Sequence, residues 1–437
     1  MGLRVAKFGG SSVADAIQIE KIKDIIMSSE DRRYIVVSAP GKRFDDDAKI
    51  TDLLYLCKTH MEHKLPYQQL FQVICDRYMA VEVNLGTTVD LKSEFKKIEH
   101  DMNEGASADY VASRGEYLNA MMIASYLGYD FVDSAEMVKF NEKGKLDADA
   151  TNECIRKVLS KHKRAVIPGF YGSKADGSIK TFSRGGSDVT GSLIARAMGA
   201  DVYENWTDVS GFLVADPRIV DDPKPISTIS YKELRELSYM GASVLHEDAI
   251  HPARVANIPI NIRNTNRPED EGTMITAEPS LEDGRIITGI AGSKDFTAIT
   301  IYKSMLNDER GFVRRLSSVL EDLNIPIEHM PSGIDTLSVV LTNKSIDGRL
   351  DEILDSFQKQ LDPDNMDVAD DLALIATVGS GMSYRPGVSA KLFTALADAG
   401  VNIRMIDQGS SEMNIIVGVQ NQDFEKSIKA IYDAFEG

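Results

Sequence analysis

Cysteine, tryptophan and long apolar runs are scarce in this chain of 437 residues, and positive charge falls short of negative. The three cysteines, Cys57, Cys75 and Cys154, lie far apart. That excludes a disulfide framework and the usual thiolate metal spacings, and leaves thiols suited to a reducing cytoplasm. No apolar run approaches a membrane span of ~20 residues. The N-terminus, M-G-L-R-V-A-K-F-G-G, has no signal-peptide hydrophobic region, and Ala6 breaks the myristoylation pattern. Against 49 basic residues stand 67 acidic ones, a net charge of −18. Such a chain is a poor partner for nucleic acid or an anionic membrane. It reads as a soluble cytoplasmic protein. The same deficit sets a condition: an anionic ligand would need positive charge gathered locally.

What is present is strand–helix alternation. Val5–Phe8, Tyr34–Ala39, Asp130–Val132, Ala165–Pro168, Asp201–Asn205 and Ile258–Arg263 read as strands, with amphipathic stretches between several of them. The pattern predicts an α/β domain with a mainly parallel sheet. Asp176-Gly177 predicts a tight hairpin feeding Ser178–Phe182. Near Pro279 and Gly284 the chain turns polar, and a domain boundary is placed there. Beyond it lies an internal repeat. The stretches starting at Gly311 and Gly387 align without a gap, matching at Leu316/Leu392, Leu320/Leu396, Asp322/Asp398, Ile327/Ile403 and Gly333/Gly409. Each copy predicts a βαββαβ unit, with Ile325–Glu328 as a strand of the first.

Five polar clusters carry the chemistry. K-F-G-G-S-S (Lys7–Ser12) follows a strand and precedes a helix. Glycines let backbone N–H groups approach an anion, the helix start favours negative charge, and a lysine is a compact countercharge. Unlike the Walker loop, the lysine comes before the glycines. S-R-G-G-S-D (Ser183–Asp188) again leads into a helix, predicted over Val189–Met198; Arg184 can hold a carboxylate with two parallel hydrogen bonds, while Ser187 or Asp188 could equally be a helix cap. S-R-G-E (Ser113–Glu116) sits in an amphipathic helix, where a lone Glu is ordinarily solvated. Thr51, in K-I-T-D-L-L, could be only an N-cap. N-W-T-D-V-S-G-F-L-V-A-D-P-R (Asn205–Arg218) leaves the end of a strand, where nucleotides bind in open α/β sheets.

Taken in order, these clusters resemble the aspartokinase pattern of the amino-acid kinase family. The resemblance runs on through Val37-Ser38-Ala39, Leu245-His246 and Ile262–Thr265, and the repeat resembles the tandem ACT domains of those enzymes. With no dehydrogenase segment following, the likeness is to the monofunctional forms. It implies a three-layer kinase sandwich at 1–284 and two ferredoxin-like ACT domains, one at 296–371 and one formed by 285–295 with 372–437.

By that resemblance, Lys7 contacts the ATP phosphates and stabilises the transferring group, with Asp188 beside it in the catalytic set. Gly9, Gly10, Ser11, Ser38, Thr207, Asp208, Leu213, Arg218, Ser243 and Val244 match nucleotide positions. Ser38, Thr51, Glu116, Arg184, Gly185, Gly186 and Ser187 match the aspartate side: Arg184 for the α-carboxylate, Glu116 for the amino group. Ser243 departs from the pattern, standing where many aspartokinases carry a lysine. The implied cofactors are ATP and Mg²⁺, with Asp188, Asp208 and Asp216 as candidate metal ligands. The implied activity is phosphotransfer to the β-carboxylate of L-aspartate, with a non-catalytic amino-acid sensor as the alternative. The first ACT copy offers Gly311, Phe312, Ile327, Glu328 and Asp335 for an end-product effector. Turn N–H groups suit its carboxylate and the acids suit an ammonium, so lysine is favoured. Pairing of ACT domains across chains implies a homodimer or homotetramer.

Overall fold

The protein, seen as a computed structural model, is described over residues 2–183, 185–242, 245, 247–278 and 284–437. Its elements run β1 (Arg4–Phe8), α1 (Ala16–Met27), β2 (Arg32–Val37), α2 (Ile50–Glu62), α3 (Gln68–Leu85), α4 (Leu91–Asn103), α5 (Ala108–Leu127), β3 (Asp130–Phe131), α6 (Ser134–Met137), α7 (Ala148–Leu159), β4 (Ala165–Pro168), β5 (Tyr171–Ser173), β6 (Ile179–Thr181), α8 (Gly186–Met198) and β7 (Val202–Thr207). They continue with β8 (Thr228–Ser230), α9 (Tyr231–Tyr239), α10 (Glu247–Val255), β9 (Ile260–Asn264), β10 (Thr273–Thr276), β11 (Gly289–Tyr302), α11 (Phe312–Asp322), β12 (Thr336–Thr342), α12 (Asn343–Ile346), α13 (Leu350–Leu361), β13 (Asn365–Val378), α14 (Val388–Asp398), β14 (Met405–Asp407), β15 (Asn414–Val419) and α15 (Phe424–Glu436). The chain divides into two compact units. One holds residues 1–212, 225–231 and 244–279; the other holds 213–224, 232–243 and 280–437.

The first unit is built on an eight-stranded sheet of order β3-β4-β2-β1-β7-β9-β10-β8. All its pairings are parallel except β9 with β10. A parallel sheet covered on both faces needs apolar side chains on both, and Val5, Ala6 and Phe8 of the central strand are fully buried. Asp15 caps α1 by accepting from the Gln18 N–H at 2.9 Å. The helix buries Ile19, Ile22, Ile25 and Ile26 in one core with Phe8 and Trp206, whose rings stack with centroids 5.9 Å apart. The chain leaves β1 for β2 and the strands beyond it, and later returns to β1's other side as β7. That reversal makes the C-terminal ends of β1 and β7 a topological switch point, the place where ligands bind in open α/β sheets.

The expected strands are present, with shifted ends. β2 stops at Val37, although the Ser38 N–H still donates to the Phe8 carbonyl at 3.2 Å. Helix α8 starts at Gly186 rather than at Val189. The hairpin at Asp176-Gly177 joins β5 to β6, with Gly177 at φ +83°, in the region that favours glycine. Helix α5 differs more in kind. It is buried nearly all round, so Ser113, Arg114, Glu116 and Asn119 are interior residues instead of the polar face of an amphipathic helix.

The second unit carries a five-stranded antiparallel sheet of order β12-β11-β13-β15-β14. Gly311 and Gly387 sit at equivalent points, each preceding a helix with φ of +78° and +91°. One expectation fails here. Ile325–Glu328 is not a strand; only isolated bridges from His329 to Val340 and from Ser332 to Leu337 join that passage to β12. Pro326 and Pro331 have no N–H to donate, so the passage cannot complete a ladder.

Candidate active site

Lys7 lies one residue from the end of β1, and the parallel register places Asn205 of β7 beside it. Phe8 and Trp206 alternate to the opposite face, under α1. The Lys7 side chain therefore faces α8, whose first turn carries Asp188. Lys7 Nζ lies 2.6 Å from Asp188 Oδ1 and donates a long hydrogen bond of 3.5 Å to Asn205 Oδ1. Asn205 Nδ2 donates to the same Asp188 oxygen at 2.9 Å. The lysine is 8% exposed, so its ammonium is fixed and part-desolvated, conditions that strengthen its interaction with an arriving anion.

The glycine loop closes over this pair. Gly9 N–H donates to the Trp206 carbonyl at 3.0 Å, and Gly41 N–H donates to the Gly10 carbonyl at 2.8 Å. A Cβ at Gly41 would stand 2.6 Å from the Gly10 carbonyl carbon, a backbone clash with no flexible side chain to give way. Arg77 of α3 supports the loop from behind: it donates to the carbonyls of Gly41, Ala14 at 3.3 Å and Ala48 at 2.7 Å. Ser12 is buried and shares a 2.8 Å hydrogen bond with Thr265.

Glu116 is the second feature. It is 5% exposed, and burial pushes its carboxyl up to about 8. The Ala39 N–H, its own backbone N–H and Arg114 only partly offset that shift. Its Oε2 has no hydrogen-bond partner among the described residues. An interior carboxyl with a free oxygen is costly unless a ligand completes it. Arg114, beside it in the chain, lies over the rings of Tyr110, Tyr117 and Tyr171 at 4.4, 4.5 and 5.4 Å and donates to Ser113 Oγ at 2.8 Å. Glu116 lies at the same end of the sheet as Lys7, because its neighbour Gly115 packs against Ala39, where a Cβ on the glycine would come 2.8 Å from the Ala39 Cβ, and Ala39 follows Ser38, whose N–H donates to the Phe8 carbonyl at 3.2 Å.

The structure thus gathers Lys7, Gly9, Gly10, Ser38, Glu116 and Asp188 at one end of β1, β2 and β7. Gly185 adopts φ +56° ahead of α8, which only glycine accommodates easily. Ser187 packs against Gly169 at the end of β4, where a Cβ would come 2.5 Å from its Oγ. Ser11 follows the glycines in a short 3₁₀ turn. Thr51 is the second residue of α2 and Lys49 is its N-cap, so Thr51 is no cap. Thr207 ends β7 and donates to Asp208 Oδ1 at 3.2 Å. Leu213 and Arg218 belong to the second unit, and there Arg218 Nη2 donates to Asp216 at 2.5 Å. Arg184, Ser243 and Val244 lie outside the described residues. No cluster of three or more potential metal-ligating side chains occurs among the described residues. Sequence reasoning gave no role to Gly41, Arg77 or Asn119, nor the Lys7 partnership to Asn205. Only that last had a usable signal, the position of Asn205 at the end of a strand.

In the second unit, Gly311 and the buried Phe312 begin α11, and Ile327 lies in the irregular passage before β12. Glu328 accepts from the Tyr239 hydroxyl, and Asp335 Oδ1 accepts from the Met305 N–H at 2.9 Å. The equivalent turn of the second copy borders a cavity of about 640 Å³ lined by Arg385, Gly387, Ser389, Gln408, Ser410 and Glu412 among others.

The chain matches the amino acid kinase family over residues 2–264 and an ACT domain over 375–435. It is 38% identical to aspartokinase 3 of Bacillus subtilis, with 99% of this chain and 98% of the relative covered. Its fold matches that of an aspartate kinase from Clostridium acetobutylicum at 51% identity and a TM-score of 0.93, over all of both chains. It also matches aspartokinase III of E. coli, solved with aspartate and ADP, at 25% identity and a TM-score of 0.74, again over all of both chains. The chain belongs to the amino acid kinase family, among its aspartate kinases.

Proposed function

We propose that this aspartate kinase transfers the γ-phosphoryl group of ATP to the β-carboxylate of L-aspartate, giving 4-phospho-L-aspartate and ADP. That product would open synthesis of lysine, threonine, methionine and diaminopimelate. The observation that carries the reading is a fixed ammonium under a glycine loop, at the same sheet end as a buried carboxyl with an open oxygen. Lys7 suits a phosphate and Glu116 suits the ammonium of an amino acid. That the E. coli relative is solved with aspartate and ADP supports this pair of ligands.

The acceptor carboxylate, with an ordinary pKa of ~3.9, is already ionised at neutral pH. No general base is needed. The barrier lies in bringing a carboxylate up to a polyphosphate, so the work is orientation and charge neutralisation. A carboxylate oxygen forms the new P–O bond as the bond to the ADP oxygen breaks, and Lys7 meets the charge on the transferring group. Asp188 and Asn205 hold the ammonium in place. Gly185, Gly186, Ser187 and Arg184 would take the α-carboxylate, with Thr51 beside them; Ser11, Thr207, Asp208, Leu213, Arg218, Ser243 and Val244 would serve the nucleotide. Mg²⁺ typically takes one or two carboxylates and completes its shell with phosphates and water. Asp188, Asp208 and Asp216 are the candidates to hold it, and each would have to share its present partner, Lys7, Thr207 or Arg218. When bound, the ion would neutralise phosphate charge.

Incubation with ATP, aspartate and hydroxylamine tests the reading. Aspartyl hydroxamate is the expected product, and its absence, or a preference for glutamate, acetylglutamate or UMP as acceptor, overturns it. For regulation, lysine is the proposed effector, seated by Gly311, Phe312, Ile327, Glu328 and Asp335. Titration calorimetry with lysine and threonine checks this, and heat for neither counts against it. Pairing through ACT domains would make the protein at least a homodimer, which light scattering measures.

A further inference from the structure

We propose that Arg77 is a positioning residue that fixes the spacing between the phosphate-facing glycine loop and the aspartate-facing start of α2. The role rests on Gly9–Ser11 serving ATP and on Thr51 and Glu116 serving aspartate. Arg77 is buried within α3. Its Nη1 donates to the Ala48 carbonyl at 2.7 Å, and its Nη2 donates to the carbonyls of Ala14, at 3.3 Å, and Gly41. Each acceptor belongs to a different part of the site. Ala14 follows the 3₁₀ turn that ends the glycine loop. Gly41 gives its own N–H to the Gly10 carbonyl at 2.8 Å. Ala48 lies just ahead of α2, whose second residue is Thr51. A guanidinium is planar and rigid, so these three segments cannot shift against one another without giving up at least one bond.

Residues 42–46, between the Gly41 and Ala48 carbonyls, are exposed, so this loop has little packing of its own to set its ends. Asp47 Oδ2 lies 3.4 Å from Arg77 Nη1 and offsets its charge. Arg77 Nε is buried and has no partner among the described residues. A buried guanidinium with one donor unmet costs stability, and an apolar side chain of similar volume would avoid that cost. What an apolar side chain cannot do is hold three carbonyls at set distances. The next residue of α3 acts on the aspartate side. Tyr78 is fully buried, and its hydroxyl donates to the Gly115 carbonyl at 2.6 Å, one residue before Glu116. Adjacent residues of one helix therefore bind the glycine loop, the approach to α2 and the backbone beside Glu116.

Arg77→Met and Arg77→Lys in the full chain test this. Each is read as kcat in the hydroxamate assay, per folded molecule, and as the separate affinities for ADP and for aspartate by calorimetry. A loss of kcat of about thirtyfold is expected, within the roughly hundredfold that a displacement of about 1 Å can cost. Each ligand alone should bind within about threefold of wild type, because each half of the site persists and only their mutual aim is lost. Lysine keeps the charge and loses the fork, so Arg77→Lys should match Arg77→Met, and it decides the matter if the methionine variant fails to fold. A residue serving stability alone would lower the folded fraction and leave kcat per folded molecule unchanged. A folded variant that keeps kcat within about threefold of wild type therefore overturns the proposal, as does a loss confined to the affinity for one ligand. Wild-type protein that forms no aspartyl hydroxamate overturns instead the reading of the site on which the role of Arg77 rests.

Discussion

Glu116→Gln separates two consequences of one buried carboxyl, and their signs are opposite. With its pKa pushed up to about 8 by burial, about nine in ten Glu116 carboxyls hold a proton at pH 7. On the proposed role of Glu116, the substrate ammonium would favour the ionised form, so binding would first remove that proton. The aspartate KM should then fall about ninefold from pH 6 to 7 and about fivefold from pH 7 to 8, flattening above. Calorimetry at pH 7 in buffers of different ionisation enthalpy should show close to one proton released per aspartate bound. Gln keeps the shape and cannot ionise. Its KM should be flat with pH, and at pH 8 it should exceed wild type by about tenfold or more, the worth of a charge-assisted hydrogen bond. Stability moves the other way. The unfolded carboxyl ionises near 4.5 while the folded one keeps its proton to about 8, so the folded state binds more protons between these values. Wild-type stability is therefore lost across that window at up to about 1.4 kcal/mol per pH unit from this group. Urea titrations at pH 5 and pH 8 should show the Gln variant gaining on wild type as pH rises. A wild-type KM that does not change between pH 6 and 8, or a pH slope that survives in the Gln variant, refutes the reasoning.

Other perturbations report on other parts of the site. Lys7→Ala should lower kcat by about a thousandfold, in the range found for removing a group that stabilises transition-state charge, and shift the aspartate KM far less; steady-state kinetics on variant shown folded by circular dichroism decides, and near-normal kcat would remove Lys7 from the chemistry. Gly41→Ala forces the turn away from Gly10, so the ATP KM should rise and stability fall by about 1–3 kcal/mol, measured by urea unfolding. Glu204 is buried and accepts from Arg32 at 2.6 Å and from Trp206 at 2.9 Å. Burial raises its pKa, but Arg32, Trp206 and Arg4 outweigh that and hold it below the ordinary value. Its contribution is present above the unfolded pKa and is lost as pH falls through the folded one. Glu204→Gln should cost about 3–5 kcal/mol at pH 7, because it leaves buried arginine charge uncompensated, and less in acid.

Much of the site was legible because the chemistry uses local signals. β1 running into G-G-S-S predicts an anion cradle from composition alone, and the register of β1 with β7 then places Asn205 beside Lys7. Glu116 was legible only through family resemblance; its helical pattern suggested a solvated face. What makes it unusual is that α5 is enclosed by other elements, and enclosure is a tertiary fact. Gly41 and Arg77 were opaque for the same reason. One matters through a close approach to Gly10, the other through three carbonyls scattered along residues 14–48. The missing strand at Ile325–Glu328 shows the reverse: the internal repeat predicts a strand there, while Pro326 removes one of the donors a ladder needs.

The site also answers the problem set by a chain of net charge −18. Its carboxyls add little negative charge where the proposed reaction brings two anions together. Asp188 is matched by Lys7 at 2.6 Å, and Glu116, with its raised pKa, is largely neutral at pH 7. Each ligand then finds its countercharge in a different way. On the proposed roles, an arriving phosphate would compete with Asp188 for Lys7, an exchange of partners around a nearly buried ammonium; an arriving ammonium would expel a proton from Glu116. Asp188→Asn separates these routes. It should leave the KM for aspartate and its pH slope unchanged, because Glu116 is untouched, while releasing Lys7 from its ion pair. The ATP KM should then fall and kcat with it, since the ammonium gains affinity for the ground-state phosphate and loses its fixed aim. An Asp188→Asn enzyme with unaltered ATP kinetics would mean that the Lys7 pairing does not control how the phosphate is met.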